Sequence, residues 1–341
     1  MITKSFIARV LITLVMAGGY ASSLQAEPFR VIVTHLEPPL VPNSVLDLAA
    51  ELGYFSREGV DVELVRVQQT PSAIAALIAG EGEMANVSVK ALLLFHAQGD
   101  HSLIAIGSPN KSIPFLIASR SEIKTISDLK GHSFGVGRIG SLDHSLSTQV
   151  IEATGLSMDD ISIVTLGQPS VRAQALAANR IDATTMSIGT WMSIPQKDGL
   201  GILVPQEAYY KAAPVINKVN IVKSDVLKNR RSEILGVQRA LIKISRDFAE
   251  NPNSWALAMK PHATKLNDAD RIALAKSFAG NWSVNGGINK IELEFTQNWV
   301  LRTDDFKNAP PITLSEWIDF SVVDEVLAEI GISPGSDHPA R

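Results

Sequence analysis

The chain of 341 residues is 45% hydrophobic and 19% charged, enough apolar material for two packed lobes at ~100–200 residues per domain and too much for a disordered chain. The formal net charge is -4 and Lys and Arg are scattered without runs, which argues against a polyphosphate-binding surface and against nucleic acid as a partner. There is no cysteine, so disulfides, thiolate metal sites and a lipid-bearing N-terminal cysteine are excluded.

The opening "MITKSFIARVLITLVMAGGYASSLQAEPF" places Lys4 and Arg9 ahead of the apolar run Val10 to Ala17, with small residues after it. This is the layout of a secretory signal, cut after Ala26. The apolar run is shorter than the ~20 residues a membrane span needs, and Gly18, Gly19, Ser22 and Ser23 break the apolar character beyond Ala17.

From Phe29 strand and helix patterns alternate. "FRVIVTHL" reads as a buried strand, and "SVLDLAAELGYF" sets Val45, Leu48, Ala49, Leu52 and Phe55 on one helical face before stopping at Gly53 and Tyr54. "VDVELVRV" alternates as a second strand. In "TPSAIAALIAGEGE" Thr70 is the expected N-cap, Pro71 sits where its missing N–H costs nothing, and Gly80 ends the helix. "MANVSV" and "SLIAIGS" are strands around the helix "VKALLLFHAQG".

The alternation restarts after Lys130 with "HSFGVG", a helix from Ser141 to Thr154, "ISIVTLG", a helix from Ser170 to Asn179, and "DATTMS". Two proline-marked extended stretches, "SPNKSIPFLIASRSE" and "AAPVINKVNIVKS", join the halves; beyond Ser224 the pattern is helical to Gly331. The expected fold is α/β and two-lobed, each lobe a mostly parallel sheet flanked by helices, with two hinge crossings. The boundaries are 1–26 for the signal peptide, 27–114 for the first part of lobe 1, 115–214 for lobe 2, and 215–341 for the return to lobe 1 and the C-terminal helices. Ligand belongs at the carboxyl ends of the strands, so the loops after Leu36, Val87, Gly137 and Met186 should converge on a cleft between the lobes.

"FGVGRIGSLDHSLST" carries Gly135, Gly137 and Gly140 at dinucleotide-fingerprint spacing, but the next strand ends in Leu166 and Gly167 with no acidic residue to grip a ribose. Ser141 opens the next helix. Either it caps that helix or its hydroxyl and the first-turn N–H groups receive an oxyanion. Asp143 in that turn would repel an anion unless it turned away or met a cation. "GISPG" at Gly331 to Gly335 lacks the strand-turn-helix setting of a nucleophile elbow, and Ser141, Asp143 and His144 lie on different faces of one turn, which is no triad. The seven histidines are dispersed, His96 and His101 lack the i, i+4 spacing of a metal pair, and no metal or cofactor is expected. His35 closes the first strand with Glu37 two residues on, as a loop residue or as cleft lining. Trp191, just past a strand end, either stacks on a planar ligand or packs in the core.

Four stretches in order carry a family resemblance: "LAAELGYFSREGVDVELVRV", "ISDLKGHSFGVGRIGS", "QALAANRIDAT" (with Asn179 where a glycine is usual) and "FSVVDEVLAEIG". Together they resemble the NMT1/SsuA-like group of type II periplasmic solute-binding proteins, which feed ABC importers. The resemblance implies two lobes that close on a ligand, and candidate ligand-binding positions at His35, Glu37, Asn86, Ser88, Gly140, Ser141, Ser187 and Trp191. "MSIGTW" departs from the acidic residue and proline that relatives often carry at the last of these. Ligands of the group include sulfonates, nitrate, thiamine pyrimidines and riboflavin. A small organic ligand bearing a carboxylate or sulfonate is expected here, with a transient ABC permease partner at the inner membrane, a monomeric state and a periplasmic location. No enzyme activity is expected: the pyrimidine synthases that resemble this fold need a cysteine-rich stretch for iron, absent here. A ligand-binding component of a sensor system is the remaining alternative. Mass spectrometry of the secreted protein should find Glu27 at its N-terminus; mature material beginning at Met1 would overturn the signal-peptide expectation.

Overall fold

The computed structural model describes residues 27–67, 69–112, 114–139, 142–335 and 337. The expected signal peptide, Gly140 and Ser141 lie outside them. The chain begins with β1 (Phe29–Val33), α1 (Val45–Glu51), α2 (Tyr54–Arg57), β2 (Val62–Arg66), α3 (Thr70–Ala79), β3 (Met84–Ser88), α4 (Val89–Ala97) and β4 (Leu103–Asn110). The apolar β1 is buried on both faces, as a strand covered by helices on each side must be. Gly53, in the left-handed region at φ 71°, separates α1 from α2. That break turns Leu52 outward to 43% exposure instead of onto the buried face, while Phe55 re-enters the core from α2. Gly80 closes α3 at φ 81° as expected, but the N-cap is Gln69 rather than Thr70. The Thr70 hydroxyl instead accepts the Ser88 N–H at 3.4 Å, at the end of β3.

The second lobe contains β5 (Phe115–Arg120), β6 (Ser133–Val136), α5 (Leu142–Glu152), β7 (Ser162–Thr165), α6 (Pro169–Ala177), β8 (Ala183–Ser187), α7 (Ile188–Met192), β9 (Leu200–Val204) and α8 (Gln206–Ala212). The chain then returns as β10 (Lys218–Lys223) and finishes in α9 (Ser224–Asn229), α10 (Arg231–Glu250), α11 (Pro252–Ala258), α12 (Asp268–Ser277), α13 (Lys290–Leu301), α14 (Leu314–Trp317) and α15 (Ser321–Ile330). Among the described residues no helix is long and apolar enough to cross a membrane.

Two five-stranded sheets result, ordered β2-β1-β3-β10-β4 and β7-β6-β8-β5-β9. In each, one strand runs against its neighbours, and in each it is the strand that comes after a crossing. β10 lies between β3 and β4 with Val219 opposite Val87, and β5 lies between β8 and β9 with Ile117 opposite Thr185. The crossings also cap helices. The carbonyl of Asn217 accepts the Val89 N–H at 3.0 Å, starting α4, and that of Pro114 accepts the Ile188 N–H at 2.9 Å, starting α7. These bonds satisfy first-turn N–H groups that have no partner within their own helix.

The lobes touch directly. An added Cβ at Gly189, in α7, would stand 3.0 Å from the carbonyl oxygen and 3.1 Å from Cβ of Leu40, in the loop after β1. α12 of lobe 1 also packs on α7. One apolar cluster therefore runs from the first lobe into Met186, Ile188 and Ile194 of the second. Gly189→Val should wedge this contact open: X-ray scattering should give a larger radius of gyration than wild type with an unchanged circular dichroism spectrum. An unchanged radius would mean that the Leu40–Gly189 contact does not hold the lobes together.

Candidate functional site

Equivalent serines close the third parallel strand of each sheet. Ser88 accepts the Ala91 N–H at 3.3 Å to cap α4, and Ser187 accepts the Thr190 N–H at 3.2 Å to cap α7. Ser88, together with Ser145 of α5, Asn217 of the second crossing and Trp299 of α13, lines a cavity of about 110 Å³ at the junction of the lobes. It adjoins an open groove of about 680 Å³ whose walls carry Lys90, Arg138 and Arg302 against Glu152 and Asp305. Val89, Val215, Ile216 and Val300 make the inner wall apolar.

Lys218 begins β10 beside this cavity, opposite Ser88 in register. Its Nζ donates to Thr34 Oγ1 at 2.6 Å, and among the described residues it forms no ion pair. Burial, with no carboxylate to offset it, pushes the ammonium down to about 8. A desolvated cation facing only a hydroxyl is an unfavourable arrangement in the protein alone, and an anion placed beside it would relieve it.

The expected positions fall into distinct environments. His35 is locked into lobe 1: its Nε2 lies 2.7 Å from Oδ2 of the fully buried Asp47, whose Oδ1 lies 2.7 Å from Arg66. The buried His35 Nδ1 has no hydrogen-bond partner. Glu37 is exposed in the same loop. Asn86 is fully buried and donates to Asn220 Oδ1 at 2.9 Å across the β3–β10 pair, so its amide is a sheet contact rather than a surface group. Trp191 packs half-buried against the main core with Lys197 Nζ 5.7 Å from its ring centre. Gly140 and Ser141 lie outside the described residues. Asp143 accepts the Gly137 N–H at 2.7 Å and lies 3.4 Å from Arg172, which is itself buried. The carboxylate thus meets a cation belonging to the protein.

Thr34, Ser145, Asn217, Lys218 and Trp299 carry no motif by which the sequence could single them out. His96 and His101 do meet, with their Nδ1 atoms 3.0 Å apart, while His96 Nε2 donates to the Leu103 carbonyl. No group of three or more potential metal ligands occurs among the described residues.

Residues 44–254 match the sequence model of the family described as NMT1/THI5 like. The chain belongs to that family. No curated protein matches the NMT1/THI5-like chain. Among solved structures it is similar to a putative periplasmic sulfonate-binding protein SsuA from Methylobacillus flagellatus KT, at TM-score 0.73 and 15% identity over 92% of this chain and 98% of that one. It is similar to the aliphatic sulphonate binding protein SsuA from Escherichia coli, at 0.61 and 18% over 80% and 85%. The nitrate-binding protein NrtA from Synechocystis PCC 6803 gives 0.62 and 11% over 92% and 91%. These likenesses place the NMT1/THI5-like chain in the two-lobed fold of periplasmic binding proteins.

The Asp47 cluster has a pH signature. Burial alone would raise the Asp47 carboxyl, but hydrogen bonds and charge from His35 and Arg66 outweigh it and hold the group below its ordinary value. A carboxylate depressed in this way stabilises the fold above its unfolded value of ~3.9 and loses that contribution as pH falls through the folded one. Asp47→Asn should therefore cost about 1–3 kcal/mol at neutral pH and progressively less in acid. Urea unfolding at several pH values measures it, and a pH-independent difference would refute the ion-pair account.

Proposed function

We propose that this protein is the solute-binding component of an ABC import system, holding a small organic anion, a carboxylate or sulfonate, in the cleft between its lobes. The observation that carries the proposal is Lys218, a desolvated ammonium at the cleft end of the first sheet with no counter-ion among the described residues. Family membership and the sulfonate- and nitrate-binding proteins of the same fold support it. On this reading Lys218 and Thr34 take the anionic group, Ser88, Ser145 and Asn217 supply neutral hydrogen bonds, and Trp299 with its aliphatic neighbours covers the apolar remainder. The protein acts as a carrier rather than a catalyst, works as a periplasmic monomer after cleavage behind Ala26, and hands its ligand to a membrane permease.

A thermal-shift screen of small carboxylates and sulfonates tests the proposal, since a ligand at ~100 times its dissociation constant adds ~2.7 kcal/mol. For the acid so found, Lys218→Met should weaken binding roughly 10- to 150-fold, the equivalent of one lost charge-assisted hydrogen bond of about 1.5–3 kcal/mol. Only the protonated amine attracts an anion, so affinity should hold below pH 8 and fall as pH rises through about 8. Calorimetric titration reads both. Equal affinity in wild type and Lys218→Met would exclude Lys218 as the anion contact.

A further inference from the structure

The cleft lysine is held from behind by a chain of buried hydrogen bonds that ends far along the sequence. The Lys218 carbonyl accepts the hydroxyl of Ser108 at 2.6 Å, and the Ser108 N–H donates to the Gly286 carbonyl at 2.8 Å. Next along that loop, the N–H groups of Asn285 and Gly287 both donate to Asp337 Oδ2, at 2.8 and 3.0 Å. Ser108 and Asp337 are completely buried. Gly287 lies so close that an added Cβ would fall 1.9 Å from the Ser108 carbonyl oxygen, and its φ of 68° disfavours any other residue.

Ser333 is also tied to this loop. Ser333 donates its N–H to Asn285 Oδ1 and accepts the Asn285 amide at its carbonyl, both at 2.8 Å. Arg246 of α10 spans the same joint, donating to the carbonyls of Val284, Ile330 and Gly331 at 2.8, 3.1 and 2.7 Å. Lys111 of the first crossing, buried to 1% exposure, donates to the carbonyl of Gly280 at 3.1 Å. The loop 280–287 thus touches the first crossing through Lys111 and, through Ser108, the strand emerging from the second.

We infer that Asp337 and Ser333, bound to the loop 285–287, form a buttress that sets the position of the cleft lysine, with Asp337 and Ser108 as positioning residues acting through that loop. A buried carboxylate receiving two nearby N–H groups holds a tight turn in one geometry, and that turn presents the single carbonyl that orients Ser108. Ser108 in turn fixes the backbone of Lys218, from which the side chain reaches Thr34. Loosening any link lets the start of β10 shift and more water reach the half-buried lysine. The functional weight of this buttress rests on Lys218 being the anion contact, as proposed above.

The test reads Lys218 itself and requires no ligand. In the full mature chain, the Lys218 ammonium is titrated by NMR of its side-chain carbon next to nitrogen, the signal being assigned by its loss in Lys218→Met. Wild type should titrate near 8. Asp337→Asn and Ser108→Ala should each move the midpoint upward, toward the ~10.4 of a hydrated lysine. Ser108→Ala removes one hydroxyl and decides the matter if Asp337→Asn does not fold. Variants that melt at a lower temperature while their midpoint stays at the wild-type value would overturn the inference, because a merely structural segment predicts that result. If the midpoint moves in both variants but none of a panel including acetate and methanesulfonate binds wild type, the buttress stands and the anion-binding reading fails.

Discussion

The backbone hydrogen bonds of the strands that arrive from the crossings organise everything else in the molecule. β5 and β10 are each inserted between two strands of their own sheet and run antiparallel to both. A strand with partners on both edges leaves its amides no other place to go. Each crossing is therefore anchored at the strand it leads into, and its free length is the few residues before that strand begins. The carbonyls of Asn217 and Pro114 in those few residues start the helices α4 and α7. A change in the relative position of the lobes must pass through these same short stretches, and they border the candidate site.

The symmetry of the site has the same origin. Ser88 and Ser187 occupy equivalent places, each ending the third parallel strand of its sheet and capping the helix beyond it. Capping uses the hydroxyl as an acceptor for the helix but leaves its own proton to donate. Where the lobes differ is in charge. Lobe 2 answers its first-turn carboxylate, Asp143, with the buried Arg172, whereas lobe 1 places Lys218 beside a neutral threonine. Lys218, which forms no ion pair among the described residues, sits on the first lobe, on the strand that belongs to the second crossing.

Lobe 1 also satisfies another of its buried charges internally. Asp47 binds His35 and Arg66, tying the loop after β1 to α1 and β2, and this loop carries Leu40 to its contact with Gly189. His35 thus helps hold the loop after β1 through its Nε2 contact with Asp47, while its Nδ1 makes no hydrogen bond among the described residues. The contrast with Lys218 is one of composition: Asp47 has two cationic neighbours and Lys218 has a single hydroxyl. Burial raises the cost of each charge, but only Asp47 has opposite charges near enough to offset it.

Most of the architecture was legible in local pattern, because apolar periodicity, Pro71 inside a helix start, and Gly53 and Gly80 at helix ends act over a few residues. The restart after Lys130 and the two proline-marked crossings were enough to expect two sheets. Some details were not legible: Gln69 rather than Thr70 stands at the N-cap position of α3, and the Thr70 hydroxyl accepts from Ser88, eighteen residues away. The site was legible only as strand ends. Ser88 and Ser187 stand there by position in their strands, yet Asn86, one pleat away, is sealed in the sheet by Asn220, a partner 134 residues distant. Thr34, Lys218 and Trp299 come from the end of β1, from β10 and from α13, and no local spacing links them. The sequence by itself determined the elements, their order and the residues that end them, since those depend on backbone preference and short-range periodicity. Tertiary structure alone decided which charges are paired and which lysine is left facing a hydroxyl, because desolvation and ion pairing depend on neighbours that only folding brings together.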